Sequence, residues 1–227
     1  MNGVYVIIPA YNEEASVGLV LNDIPVGVEE VIVVDNNSTD KTGQAAMEHG
    51  ATVLFEKRNG SGAACLRGIK YLVENKKETC KTVVFIDADY SDHPDEMPLL
   101  IKEIDNGNDL VIGSRVKDKR QNGAMMPQQI FGNWLATFMM KHMYGAGFHD
   151  LGPFRAIRFD KLLSLDMMDK TFGWTVEMQV KAVKQGLRYS EVPVSYRRRV
   201  GVSKISGTVS GTIMAGYKII TTLIKLK

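Results

Sequence analysis

The sequence predicts an α/β fold: a mostly parallel central sheet flanked by helices, followed by a C-terminal amphipathic helix. Three observations predict it. Five apolar, β-branched runs of strand length lie in the first half, at Val4–Ile8, Glu30–Val34, Thr52–Phe55, Thr82–Ile86 and Asp109–Ile112. Helix-like patterns separate these runs at regular spacing, and a polar cluster follows each run. Runs without polar alternation suit strands buried on both faces, the condition of a parallel sheet covered by helices. Their β-α-β-α rhythm then implies a doubly wound sheet.

The helices between the strands are expected at Glu13–Leu21, Lys41–His49, Ala63–Val73 and Pro94–Asn106. The last opens with a proline, whose missing N–H costs nothing in the first turn. Past Arg115 the pattern changes. Lys117–Gly123 reads as a charged loop, and Ile130–Tyr144 as a helix with Phe131, Trp134, Leu135, Phe138 and Met139 along one side. Val192–Tyr196 reads as a further strand, with a basic, glycine-bearing loop after it. In Val209–Ile224 a helix would put Val209, Ile213, Tyr217, Ile220 and Ile224 on one face, with Lys218, Thr222 and Lys225 opposite. Lys218 interrupts the apolar run, so an amphipathic helix is expected rather than a membrane span. The division is therefore an α/β domain over residues 1–206 and a helix over residues 207–227.

At 227 residues with 44% hydrophobic and 24% charged residues, the chain can bury a full core. A net charge of +2 is too mild for a general nucleic-acid binder. Cys65 and Cys80 imply no disulfide framework, and Val4–Ile8, cut short by Pro9, is no signal core. A cytoplasmic protein, reaching at most the cytoplasmic face of the membrane, is the expectation.

In open parallel sheets, ligands bind beyond the carboxyl ends of the strands. The polar clusters fall there: Pro9–Glu14, Asp35–Asp40, Arg58–Gly62, Asp87–Asp89 and Gly113–Arg115. Asp87 and Asp89 carry the sharpest chemistry, because paired hard oxygen ligands beside a strand end can share a divalent cation with a diphosphate. An EF-hand loop is excluded, since its sixth position is Asp92 and its twelfth is Pro98. The Gly60-Ser61-Gly62 turn follows the third strand and lacks the full dinucleotide glycine spacing, which argues against a dehydrogenase.

Together VIIPAYNEE (Val6–Glu14), VVDNNSTDKT (Val33–Thr42), NGSGAACLRGI (Asn59–Ile69), FIDADYSDHP (Phe85–Pro94) and VIGSR (Val111–Arg115) resemble glycosyltransferase family 2, whose members have the GT-A, Rossmann-like fold. DLGPFRAIR (Asp150–Arg158), EVPVSYRRR (Glu191–Arg199) and GVSK (Gly201–Lys204) extend the resemblance toward the branch of dolichol-phosphate mannosyltransferase and bacterial polyprenyl-phosphate glycosyltransferases. The resemblance implies an inverting, metal-dependent transferase that moves a sugar, UDP- or GDP-linked, to a polyprenyl or dolichyl phosphate. Pro9, Tyr11, Glu13, Asp35, Gly62, Asp87 and Ala88 would bind the nucleotide-sugar. Asp89, with Asp87, would hold Mg²⁺ or Mn²⁺. Relatives often carry a glutamine ligand next, and here either Ser91 or Asp92 would replace it.

A lipid-phosphate dianion is already a nucleophile, since its second pKa is about 6, so arginines rather than a base would handle it. Arg115, Arg198, Arg199 and Lys204 are the residues implied. Relatives often bear another arginine where this chain has Met126-Pro127-Gln128-Gln129, which keeps a hydroxyl acceptor open. That acceptor would need a base, either Asp150 or Glu177. Two other classes remain: a sugar-1-phosphate nucleotidyltransferase, though Val4–Glu14 lacks the glycine-rich loop with arginine, and an inactive nucleotide-binding partner. The C-terminal helix would lie at an anionic membrane surface or pack on the domain.

Overall fold

A computed structural model describes residues 1–201 and 209–227. The strands are β1 (Val4–Ala10), β2 (Glu30–Asp35), β3 (Thr52–Phe55), β4 (Thr82–Phe85), β5 (Leu110–Ser114), β6 (Arg155–Arg158) and β7 (Tyr189–Pro193). The helices are α1 (Val17–Asn22), α2 (Thr42–Glu48), α3 (Ser61–Asn75), α4 (Met97–Asp105), α5 (Pro127–Tyr144), α6 (Phe159–Ser164), α7 (Trp174–Lys184) and α8 (Val209–Lys225). Among the described residues the strands form one sheet in the order β3-β2-β1-β4-β6-β5-β7.

β1 explains why the apolar runs do not alternate. Tyr5 and Ile7 enter one core layer, with Ile32, Phe85 and Trp174. Val4, Val6, Ile8 and Ala10 enter the other, with Val84, Leu100 and Ile101. Side chains of a strand point alternately to the two faces, and here both faces are covered.

The five strands expected in the first half all form, and β1 to β4 run parallel in register Val6↔Val31 and Val6↔Val84. β6 departs from the expected parallel sheet. It runs antiparallel between β4 and β5, pairing Val84↔Ala156 and Val111↔Ala156. Its sequence Arg-Ala-Ile-Arg is short and charged at both ends, so no local pattern marks it as a central strand. The last strand lies over Tyr189–Pro193, three residues before its predicted start, although Val194 N–H still donates to the Ser114 carbonyl at 3.0 Å.

α8 packs beside α5 and α7. Its buried side is Thr222 and Leu223, the latter fully inside, with Ile219 and Leu226 against the same core. Lys218 pairs with Asp169 at 2.8 Å, and the Tyr144 hydroxyl donates to the Leu223 carbonyl. Tyr217 and Ile224 of the expected apolar face are exposed, whereas Thr222, expected opposite, is buried. No helix among the described residues is long and apolar enough to cross a membrane.

Candidate active site

A cavity of about 520 Å³ opens beyond the carboxyl ends of β1, β2 and β4. Pro9, Tyr11 and Glu13 supply one wall, Asp87, Ala88 and Asp89 the floor, and Phe172, Trp174 and Thr175 the opposite wall. Asn36, Gly60, Ser61, Arg155 and Arg199 complete the lining.

The floor is shaped by backbone geometry after β4. Tyr90 has φ of +63°, a left-handed conformation that costs a residue with a Cβ about 1–2 kcal/mol. Side-chain contacts hold it: its hydroxyl donates to Asp23 Oδ2 at 2.6 Å, and the Arg197 guanidinium lies 3.3 Å over its ring. Arg197 also donates to the carbonyls of Tyr90 at 2.7 Å and Asp92 at 3.1 Å. The chain thereby turns back so that the Ser91 N–H donates to Asp89 Oδ1 at 2.9 Å, with the Ser91 hydroxyl on the same oxygen.

Asp87 and Asp89 therefore face one cavity. Burial raises the Asp87 carboxyl to about 7, and the neighbouring Asp89 charge adds to the rise. Asp92 is buried and pushed well above the carboxylate range, first by burial and then by Asp87 and Asp89. Neither carboxylate oxygen of Asp92 has a hydrogen-bond partner among the described residues. The crowded, repelling carboxylates of Asp87 and Asp89 on the cavity floor are what a divalent cation relieves, so this pair fits a hard metal. No three His, Cys, Asp or Glu side chains among the described residues converge as a self-sufficient metal cage. Mg²⁺ or Mn²⁺ at a phosphate site takes one or two carboxylates and completes its shell with phosphate and water. The Ser91 hydroxyl is engaged with Asp89, and neither Ser91 nor Asp92 lines the cavity.

The arginines separate sharply. Arg199 lines the cavity, with Nη1 3.2 Å from Asp89 Oδ2 and Nη2 2.5 Å from Glu13 Oε1. Arg198 faces the other way and donates to the Asn122 carbonyl at 2.9 Å. Arg197, absent from the sequence-implied set, is the clamp on the aspartate loop. Residues two apart in an extended segment share a side, which puts Arg197 and Arg199 together and Arg198 opposite. Lys204 lies outside the described residues.

Arg115 is not free for an acceptor. Its Nε donates to Asp150 Oδ2 at 2.8 Å, its Nη2 to Oδ1 at 2.6 Å, and its backbone N–H to Oδ2 at 2.7 Å. Burial alone would raise the Asp150 carboxyl, yet the Arg115 guanidinium outweighs it and holds the group below the usual carboxylate range. Asp150 is thus a poor base, and neither partner lines the cavity. Glu177 is occupied as well: it accepts the backbone N–H groups of Met168 at 3.0 Å and Asp169 at 2.7 Å, and pairs with Lys181 at 2.8 Å.

Asp35 sits beside the cavity, accepting the Ser38 N–H at 2.9 Å, while its neighbour Asn36 lines it. Asn36 donates to the Arg58 carbonyl at 2.6 Å and accepts the Gly60 N–H at 2.7 Å, fixing the glycine turn against the cavity. Sequence reading named Gly62 for the nucleotide, but Gly60 and Ser61 line the wall. A Cβ on Gly62 would stand 2.2 Å from the Asp169 carbonyl oxygen, so this glycine serves close backbone packing. Gly62→Ala is expected to lower stability by about 1–3 kcal/mol through overpacking, read as a fall in the urea midpoint. An unchanged midpoint would contradict that packing. Arg155, also unanticipated, is fully buried on the cavity wall and donates to the carbonyls of Leu151, Gly152 and Thr175. Burial lowers its guanidinium to about 10.

Comparison with known proteins bears on this site. The family model described as Glycosyl transferase family 2 matches residues 5–165. An uncharacterized glycosyltransferase of Mycobacterium tuberculosis is 37% identical over 94% of each chain. The undecaprenyl-phosphate mannosyltransferase of Micrococcus luteus is 33% identical over 92% of this chain and 89% of its own. The polyprenol monophosphomannose synthase of Mycolicibacterium smegmatis is 30% identical over 89% of this chain and 81% of its own. Among solved structures, glucosyl-3-phosphoglycerate synthase from Mycobacterium tuberculosis, crystallised with Mn²⁺, UDP and glucosyl-3-phosphoglycerate, superposes with a TM-score of 0.79. It covers 99% of this chain and 80% of its own at 23% identity, a likeness of fold. The motifs, the GT-A sheet with its aspartate pair, and the match over residues 5–165 make this chain a member of glycosyltransferase family 2.

Proposed function

We propose that this chain is an inverting hexosyltransferase that moves a sugar from a UDP- or GDP-sugar to a polyprenyl phosphate with the help of Mg²⁺ or Mn²⁺. The observation that carries it is the Asp87–Asp89 floor of a cavity at the strand ends, in a chain whose full-length relatives include lipid-phosphate mannosyltransferases. Pro9, Tyr11, Glu13 and Ala88 line the donor side, with Asp35 just behind, and Asp87 and Asp89 hold the metal. A bound metal would neutralise the charge that builds on the departing diphosphate.

The acceptor follows from what is not available. A hydroxyl acceptor needs a base, and Asp150 and Glu177 are both committed elsewhere. A phosphate dianion needs none, which supports the lipid-phosphate reading. Arg199 is the guanidinium on the cavity and is assigned to the phosphate, with Lys204 as its sequence-implied partner, whereas Arg198 is turned to the Asn122 carbonyl. Arg115 acts indirectly, by holding the Asp150 loop. In the absence of metal, Arg199 neutralises Asp89 and Glu13; once a cation does so, it is free to meet a phosphate. Arg199→Gln is therefore expected to tighten Mn²⁺ binding to nucleotide-free protein, measured by calorimetry, and to slow transfer. Weaker Mn²⁺ binding would make Arg199 a support of the metal site rather than its competitor.

The function is tested by thermal shift with UDP- and GDP-sugars plus Mn²⁺, followed by transfer of labelled sugar to undecaprenyl phosphate and to undecaprenol. Stabilisation by one nucleotide series and labelling of the phosphate alone are expected. No shift with any nucleoside diphosphate, or equal labelling of the alcohol, would refute it.

A further inference from the structure

Only part of the apolar side that the sequence assigns to α5 meets the core: Met139 packs against it and Leu135 is half-buried, but the aromatic residues turn outward. Ala136, Thr137 and Met140 are buried, whereas Phe131 is 60%, Trp134 55% and Phe138 46% exposed. Their rings form a continuous ladder: Phe131 to Trp134 at 5.8 Å, Trp134 to Phe138 at 5.7 Å, and Phe138 to His142 at 4.1 Å. Met126 and Ile130 extend it as further exposed apolar side chains. Water-facing helix surfaces are ordinarily polar, and a contiguous exposed apolar face marks an interaction surface.

Charge identifies the partner. From Gln121 to His149 the sequence contains no Asp or Glu, yet it carries Lys141 and His142, while the His149 ring is paired with Glu191 at 2.6 Å. The neighbouring α8 belongs to a stretch with no acidic residue after Glu191, and it exposes Met214, Tyr217, Ile224 and Lys225. A two-fold pairing of this face with a second copy would set lysines against lysines with no carboxylate to meet them. An anionic bilayer supplies both halves of the match. Its headgroups attract the lysines, and its interface takes up aromatic rings.

We propose that the outer face of α5, flanked by α8, docks this protein on an anionic lipid bilayer. The helix that carries this face is tied to the loop of the Arg115–Asp150 pair, outside the cavity lining. The Asn133 amide donates to the His149 carbonyl at 3.1 Å and accepts the Leu151 N–H at 2.8 Å, on either side of Asp150. Docking depends on this face alone and not on which acceptor is used.

The test uses the full chain with vesicles of phosphatidylcholine, with and without phosphatidylglycerol, at low and high salt. Co-sedimentation is expected with the anionic vesicles, weakened by salt. A blue shift of emission is expected that Trp134→Phe abolishes, since the other tryptophan, Trp174, is buried. The combined change of Phe131, Trp134 and Phe138 to Ser should reduce vesicle binding by tenfold or more while keeping the Tm and its rise with nucleotide. Wild-type protein left in the supernatant, or a triple variant that binds equally, overturns the proposal. So does a dimer in sedimentation velocity that the triple variant abolishes without any vesicle binding. Transfer to polyprenyl phosphate dissolved in detergent is assayed separately; its absence in wild type refutes the acceptor assignment and leaves docking standing.

Discussion

Asp89→Asn is expected to reduce transfer by a hundredfold or more, about 3 kcal/mol of barrier, while leaving the fold intact. An amide is a poor ligand for a hard cation, so the loss falls on the metal and on the departing diphosphate. Stability should move little, or rise. Asp89 is surrounded by Asp87 and Asp92, and its charge is one cause of the raised carboxyls of both. Removing that charge relieves repulsion and costs one largely buried ion pair to Arg199, at 3.2 Å. Transfer rates with a Mn²⁺ series and a thermal melt without metal check the two halves. Full turnover by Asp89→Asn in EDTA would sink the metal assignment. A collapse of the melt would make Asp89 a structural residue.

Asp150→Asn is expected to destabilise the protein by about 3–5 kcal/mol, because it leaves the Arg115 guanidinium buried without its carboxylate. The side chains of Arg115 and Asp150 are only 12% and 6% exposed, and three hydrogen bonds join the two residues. Arg115→Met should cost a similar amount by orphaning the carboxylate. The double variant should cost less than the sum, since neither charge is then stranded. The pH dependence has a definite sign. The folded Asp150 carboxyl lies below its unfolded value near 3.9, so its contribution is present above that pH and disappears as the pH falls through the folded value. The gap between wild type and Asp150→Asn should therefore narrow below about pH 4. Urea midpoints across pH for the four proteins measure this. Strict additivity in the cycle would mean that the pair is not coupled.

Much of the cavity lining was legible in the sequence because its signals are local. A strand buried on both faces must be apolar at successive positions, as β1 is, and a ligand site on such a sheet must lie just past those strands. The Pro9–Glu14 cluster and the Asp87–Asp89 pair were found that way, the resemblance singled out Pro9, Tyr11 and Glu13, and all five residues line the cavity. Asn36 and Gly60 stand within the same motifs. Their task, holding one turn against another, appears only when β2 and β3 are paired.

The charged residues implied for an acceptor were less legible, because their partners are far apart in sequence. Arg115 and Asp150 were read as a phosphate ligand and a base, each free; folding brings them together across 35 positions and uses up both. Glu177 is consumed by a loop, and the adjacent arginines 197 to 199 receive three different tasks. The strand β6 belongs to the same class, since Arg-Ala-Ile-Arg becomes a central strand only by pairing with β4 and β5. The aromatic side of α5 is the clearest case. Period alone defines an apolar stripe, and the stripe is the same whether it faces a core or a lipid surface. The sequence by itself determined the sheet, the family and the aspartate floor, because burial and strand-end chemistry are written residue by residue. Which charges neutralise one another and which way an apolar face points were decided by the tertiary structure, because both depend on what long-range packing leaves beside them.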